Sequence, residues 1–366
     1  MGERALNRVM KDHGGFEGNA QTFRILSRLE KREKLSEGAD RRCGLNLTAR
    51  SLAATIKKHN LIRPLSEKVL AGKIDKGIYH DDEPTYKFVL ENVYGEWAAS
   101  PCVVIESAIM DVSDDIAYAT YDFEDILKSG FFSPIDMTSL PPDQVDAVCE
   151  KVTDAIRGWY PEAELFTPTD YALVVGDILK ESIFDVSPEV IDAFRQADDE
   201  DKTFRAALAI AGDLNSISHS IAQKTSFRTA LTSNLVELFV NSIEWVPPTD
   251  GRPISLSSVR LPLRVLRIVE TLKHLAFALV IKSTNVAISE QKGSYIVESL
   301  ADTLMNKPLG HELLPADIRE VYNDAPDQSC RARAVCDFIA GMTDHYAMEL
   351  HARVIGVKNT SIFVPI

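Results

Sequence analysis

The chain has 366 residues, 45% hydrophobic and 26% charged, and its 54 Asp and Glu against 40 Lys and Arg leave a net charge of −14. This is ordinary globular composition, long enough for two or three domains or one large helical body. An acidic total argues against indiscriminate nucleic-acid binding. No run of about 18 uncharged apolar residues is present to span a membrane, and no basic, apolar, then small-residue leader opens the sequence. Five cysteines without a CxxC pair suit reduced thiols, so a cytoplasmic location is expected. The charge is uneven: Met1 to Lys76 carries 17 Lys and Arg against 9 Asp and Glu, a net of +8, and the remainder has a net of −22.

The pattern is helical almost throughout, and the expected fold class is all-α. Ala5, Leu6, Val9 and Met10 recur at helical spacing, and Phe23, Ile25, Leu26 and Leu29 continue the style after Gly14-Gly15. Leu47-Thr48 opens a helix that ends near Lys57-Lys58. Residues 60–97, with Pro64, Gly72, Gly77 and Pro84, read as a loop-rich connection, with a short β segment at Ile78–His80. Ser100-Pro101 starts a long helix to about Leu127. Pro134, Pro141-Pro142, Pro161 and Pro168 then separate short helices. Ala206 to Val246 and Pro253 to about Lys282 read as helices, and Ala316 to Tyr322 and Arg331 to Val354 close the chain. A second short β segment is expected at Ser361–Pro365. The expected division is 1–246 as a core and 247–366 as a C-terminal helical region.

The stretch Ile105 to Asp125 carries the most chemistry. At 100° per residue, Ile105, Ala108, Ile109, Val112 and Ile116 form a core-facing stripe. Asp111, Asp114, Tyr118, Asp122 and Asp125 form a second row, spaced 3, 4, 4 and 3. Like charges at this spacing repel, and no basic residue lies between Pro101 and Ile126 to answer them. The plain alternative is a solvated acidic face; the sharper one is a set of carboxylates placed for a divalent metal.

These residues carry a resemblance. Ile109-Met110-Asp111 and Asp114-Asp115-Ile116-Ala117-Tyr118, followed by Asp122-Phe123-Glu124-Asp125, resemble a metal motif of the dGTPase-like dNTP triphosphohydrolases, in the HD-domain phosphohydrolase superfamily. Gly14-Gly15-Phe16-Glu17-Gly18-Asn19-Ala20-Gln21 with Gly44-Leu45-Asn46-Leu47-Thr48 is a second matching block. Asp337-Phe338-Ile339-Ala340-Gly341-Met342-Thr343-Asp344-His345-Tyr346-Ala347 is a third. Arg228 with Leu231-Thr232-Ser233 resembles the substrate-side helix more loosely. The blocks keep the family's order from residue 2 to the C-terminus; 127–220 matches in general character alone.

The resemblance implies an HD-type helical body with a C-terminal phosphohydrolase-associated region. It implies hydrolysis of a dNTP to deoxynucleoside and tripolyphosphate with a divalent metal, Mg²⁺ or Mn²⁺, which activates water and neutralises phosphate charge. Carried over by position, Asp114 is a metal ligand, Tyr118 and Asp122 contact substrate, and Glu3 is a catalytic acid. Asn19 and Gln21 offer amides suited to ribose or base edges, with helix capping by Asn19 as the alternative; Arg228 is a further substrate-side candidate. Arg24, Arg28, Arg32 and Arg50 are candidates for steering phosphates or contacting neighbouring subunits, or else are surface.

The family's first His, its His-Asp pair and the Gly-His half of its catalytic segment have no counterpart, so three of four metal ligands are absent. His80-Asp81 lacks the family's flanking residues and reads as a chance dipeptide, although a pocket-facing role for Tyr79 or His80 stays open; His13 is read as capping a helix end. Metal binding by these residues alone is expected to be weak or absent. The expectation is a truncated form, inactive alone. The alternative is a non-catalytic nucleotide-binding or regulatory subunit that co-assembles with a complete paralogue. Expected partners are deoxynucleoside triphosphates and further subunits, in a homo-oligomer or such a co-assembly.

Overall fold

The computed structural model describes residues 2–31, 42–63, 71, 73–128, 132–182, 212, 224–281 and 284–356. The described helices begin with α1 (Gly2–Val9), α2 (Gly18–Arg24), α3 (Ala49–Ala53), α4 (Glu83–Val89) and α5 (Ile105–Lys128). There follow α6 (Pro142–Trp159), α7 (Pro168–Ser182), α8 (Thr225–Asn241) and α9 (Leu263–Ile281). The series ends with α10 (Thr284–Asn306), α11 (Ala316–Asp324), α12 (Gln328–Ala340) and α13 (Asp344–His351). Two small ladders join them: β1 (Leu61–Ile62) runs parallel to β2 (Ile78–Tyr79), and β3 (Glu244–Val246) runs antiparallel to β4 (Ser258–Arg260). The fold is all-α.

The chain forms two compact units. One comprises Met1–Ser107, Pro248–Leu256 and Thr284–Ile366, the other Ala108–Pro247 and Ser257–Ser283. These units interleave along the sequence. The boundary falls inside α5 and again just beyond α9.

In the first unit, Leu6 and Met10 of the N-terminal helix and its exit bury against Ile296, Leu300 and Leu304 of α10 and Val335, Cys336 and Ile339 of α12. Each such aliphatic side chain contributes about 1.5–3 kcal/mol on burial. A second cluster gathers Phe23, Leu52, Ile56, Ile78, Tyr86, Val89 and Tyr94. His59 is held beside it, with Nδ1 3.1 Å from the Tyr86 hydroxyl and Nε2 3.0 Å from that of Tyr94. Gly14 and Gly15 take φ of 93° and 69°, a left-handed turn that glycine adopts without a Cβ penalty. This turn sends the chain from α1 back into α2. In the second unit α9 packs on α6 and α7. Val265, Val269, Leu272 and Ala276 form its buried stripe, and Val148, Val152 and Ile156 that of α6, both at helical spacing.

Several boundaries differ from the sequence expectation, each for a local reason. The helix opened by Thr48 stops at Ala53 instead of reaching Lys57; Thr55 Oγ1 donates to the Leu52 carbonyl at 2.8 Å, taking an acceptor the helix would use. Residues 83–94 are helical, α4 running on into a π turn over Leu90–Tyr94. Pro84 lies in the first turn, where the missing N–H costs nothing, so it starts a helix where a loop was expected. The long helix α5 begins at Ile105, four residues after Pro101. The region 253–282 divides into β4 and α9, and residues 244–246 end the preceding segment as a strand. α12 and α13 are separate helices, parted at Gly341–Thr343, where the Thr343 hydroxyl accepts from Tyr346 N. The strand expected at Ser361–Pro365 and most of 206–224 lie outside the described residues.

Candidate functional site

The sequence-derived site residues divide between the two units: Glu3, Asn19 and Gln21 belong to the first, Asp114, Tyr118, Asp122 and Arg228 to the second. Each set has its own geometry.

In the second unit, α5 buries Ala108, Val112, Ile116, Ala119, Phe123 and Leu127, one face of a 3.6-residue helix. Ile109, expected in that stripe, is 44% exposed instead. On a different face Asp114 is half-buried, Tyr118 is 55% exposed, and Asp122 and Asp125 are exposed. Successive turns therefore bring Asp114, Tyr118 and Asp122 into one row with an aromatic ring between two carboxylates. Partial burial, then the neighbouring charge of Asp125, raises the Asp122 carboxyl above the usual carboxylate range. A half-exposed ring between acids can stack on a planar group while the acids accept hydrogen bonds from hydroxyls or amines.

The basic residue missing from the local sequence arrives from 158 positions away. Lys273 Nζ of α9 lies 2.8 Å from Asp115 Oδ1 and 2.9 Å from Glu270 Oε1, with His274 Nε2 3.5 Å from the other Glu270 oxygen. Burial raises the Asp115 carboxyl, and the Lys273 ammonium partly offsets that. This ion pair fixes the turn of α5 next to Asp114. Arg228 is buried on α8, donating from Nη2 to Thr225 Oγ1 at 3.1 Å. One turn on, the Thr232 hydroxyl donates to Glu124 at 2.8 Å and ties α8 to α5.

In the first unit, Glu3 Oε1 accepts from Gly18 N at 2.8 Å. Its carboxylate thus sits at the start of α2, where helix N–H groups attract negative charge. The α2 cap itself is Glu17, which accepts from Ala20 N at 2.8 Å and from Asn19 Nδ2 at 2.7 Å. Asn19 supports the cap and is not the cap. Gln21 is 4% exposed, and its amide nitrogen donates to Asp337 at 2.9 Å. Asp337 also accepts from Arg24 Nε at 2.9 and 3.1 Å, and Arg24 Nη1 donates to Asp82 at 3.0 Å. All three charged side chains are at most 5% exposed. Burial disfavours the Arg24 charge, yet Asp337 and Asp82 outweigh it and hold the guanidinium more firmly protonated than usual. Nearby, Arg333 lies over the Tyr79 ring, 4.0 Å from its centre, and donates to the Gly15 carbonyl at 2.8 Å.

Of the residues carried over from the sequence, Asp114 is the one candidate metal ligand. Among the described residues no group of three or more His, Cys, Asp or Glu side chains is placed to hold an ion. No membrane-crossing helix, long and apolar enough, occurs among the described residues either.

Residues 259–353 match the family model of the phosphohydrolase-associated domain. Across its whole length the chain is 35% identical to the deoxyguanosinetriphosphate triphosphohydrolase-like protein 2 of Mesorhizobium japonicum, covering 76% of that protein. It is 29% identical to a deoxyguanosinetriphosphate triphosphohydrolase-like protein of Bifidobacterium longum, over 96% of this chain and 66% of that one. A Histophilus somni protein of the same description is 25% identical, over 96% of this chain and 71% of its own. The chain belongs to the dGTPase-like triphosphohydrolase family.

Two blocks of this dGTPase-like chain that lie more than 300 residues apart in sequence prove to be one physical object. Gln21 and Arg24, from and beside the second block, close on Asp337 of the third. Gln21 is the substrate-contact candidate of the second block, and Asp337 carries no role from sequence; an Arg on the same face as Gln21, with an Asp opening a distant helical block, is the signal that pairs them. Lys273 gave none, since nothing local marks it as the partner of Asp115. Of the histidines, His13 Nδ1 lies 3.2 Å from Ser329 Oγ, and His80 is exposed beside Glu83.

Proposed function

We propose that this chain binds a deoxynucleoside triphosphate along the α5 row, with Tyr118 against the nucleoside and Asp122 accepting from its hydroxyl or amine groups. The reading adds Asp114 as the one metal ligand these residues contribute, and Arg228 as a substrate-side residue acting from α8. The observation that carries it is the row itself: Asp114, Tyr118 and Asp122 share one solvent-reaching face of a helix whose other face is buried. The family is one of dNTP triphosphohydrolases, which are generally metal-dependent. A metal, when bound, supplies water activation and neutralises phosphate oxygens; of these residues Asp114 would hold it.

On this reading the 366 residues alone bind nucleotide without turning it over. In that form the chain works as a nucleotide-binding or regulatory subunit within a homo-oligomer or beside a complete paralogue. The test incubates purified chain with each dNTP and Mn²⁺ or Mg²⁺ and measures tripolyphosphate. No release is expected; release that disappears in Asp114→Ala overturns the non-catalytic reading.

A further inference from the structure

The first unit contains a cavity of about 470 Å³ lined by Arg24, Arg28, Arg42 and Arg333, with Asp81, Asp324 and Cys330 on its walls. Its volume lies in the range of small-molecule sites, about 300–1,000 Å³. Four guanidinium groups around one such space are uncommon, because each keeps its charge and repels the others. None of these arginines belongs to the α5 row, and the cavity has no part in the proposed function.

The partners of Arg24, Arg28 and Arg333 order them from behind. Arg24 is gripped by Asp337 and Asp82. Arg28 has its Nε 3.3 Å from Asp82 Oδ1 and its Nη2 donating to the Asp81 carbonyl at 2.8 Å. Arg333 is pinned by the His13 and Gly15 carbonyls and the Tyr79 ring, and its Nη1 is buried without a hydrogen-bond partner among the described residues. Groups already ordered lose little conformational entropy when a ligand arrives. The planar fork of arginine matches phosphate oxygens in pairs.

The charge balance sets what kind of anion fits. Two carboxylates, Asp81 and Asp324, share the walls with the four arginines, and Asp82 and Asp337 lie behind them. Cys330 adds no charge at neutral pH, since burial, and then its contact with Asp327, pushes the thiol up to about 11. With four acids against four arginines the region carries no broad positive field to collect anions. Its selectivity comes from directed N–H donors, which reward a ligand with many acceptor oxygens close together over a single small ion.

We propose that this cavity is a binding site for an oligophosphate group, presented either by a nucleoside triphosphate or by inorganic tripolyphosphate. Arg42 and Arg28 contact the phosphates, Arg24 and Arg333 form the ordered floor, and Asp324 weakens binding by repulsion.

The test is calorimetric titration of the full chain, at low ionic strength, with inorganic tripolyphosphate, dGTP and orthophosphate. Tripolyphosphate is expected to bind well ahead of orthophosphate, and Arg42→Ala to weaken it about tenfold, the value of one charge-assisted contact. Asp324→Asn is expected to tighten it several-fold, a gain that misfolding cannot mimic. With dGTP titrated into Tyr118→Ala, equal affinity for dGTP and tripolyphosphate assigns the site to the phosphate chain, and tighter dGTP assigns it to a nucleotide; both support the site. Repeating the tripolyphosphate titration in Tyr118→Ala separates the cavity from the α5 face, because tripolyphosphate binding should persist there. Affinity unchanged in both Arg42→Ala and Asp324→Asn, or no binding of tripolyphosphate, overturns the proposal.

Discussion

Replacing Asp337 by Ala should damage the first unit more than any surface change, and the structure sets the scale. Its carboxylate accepts two contacts from Arg24 Nε and one from Gln21 Nε2, with both ion-pair side chains 5% exposed. Removing it leaves a buried guanidinium with Asp82 as its remaining carboxylate and strands a buried amide donor. Breaking a buried pair on one side costs about 3–5 kcal/mol. Asp337→Asn keeps an acceptor but loses the charge and should cost about 2–3 kcal/mol. The double change Arg24→Met with Asp337→Leu removes both charges together, so its cost should fall short of the sum of the singles by at least about 1 kcal/mol. The assay is urea unfolding followed by far-UV circular dichroism and by the fluorescence of Trp97, the tryptophan of the first unit, with Trp159 and Trp245 replaced by Phe. A loss below about 1 kcal/mol in Asp337→Ala, or strict additivity in the cycle, would show that the buried Arg24–Asp337 pair does not hold the first unit together.

Three further outcomes follow from particular contacts. Burial lowers the His59 imidazole from 6.5 to about 4, so the unfolded chain takes up its proton first on acidification. Stability from this group is full above pH 6.5 and is lost as pH falls toward 4; His59→Gln should flatten that part of a pH–stability curve measured by thermal unfolding. Lys273→Met leaves Asp115 and Glu270 facing each other without their shared cation, and should lower stability by about 2 kcal/mol, with Lys273→Arg recovering part of it in the same melts. Gly44→Ala should be severe: φ is 57°, and a Cβ would come within 2.2 Å of the Leu26 carbonyl oxygen. Left-handed strain alone costs about 1–2 kcal/mol, so a loss under 1 kcal/mol in chemical unfolding would contradict the geometry.

The helical class, the turn at Gly14-Gly15 and the row on α5 were legible in sequence because each depends on local periodicity or on a residue whose backbone freedom is distinctive. Proline misled where its position within a helix mattered: Pro84 reads as a break unless the first turn is already known. The β3–β4 ladder was hidden because its strands pair across a turn and look like continuations of apolar helices. Asp337 and Lys273 act through partners 313 and 158 residues distant, beyond any spacing rule. Glu3 and Asn19 share this limit. Residue type suits them to chemistry or ligand binding, and no spacing rule foretells the hydrogen bonds that place them at the start of α2 and beside its cap.

The α5 row as a nucleotide face is tested most directly by equilibrium binding of dGTP with and without Tyr118→Ala, both in an Arg42→Ala background that weakens the arginine cavity, with circular dichroism confirming that both proteins are folded. Because Tyr118 is 55% exposed, its truncation should leave the fold intact. Binding by the Arg42→Ala parent that weakens about tenfold in the double variant, the worth of one stacked ring, is the predicted result. The double variant binding dGTP as tightly as its Arg42→Ala parent, or a parent that does not bind it, would contradict the account.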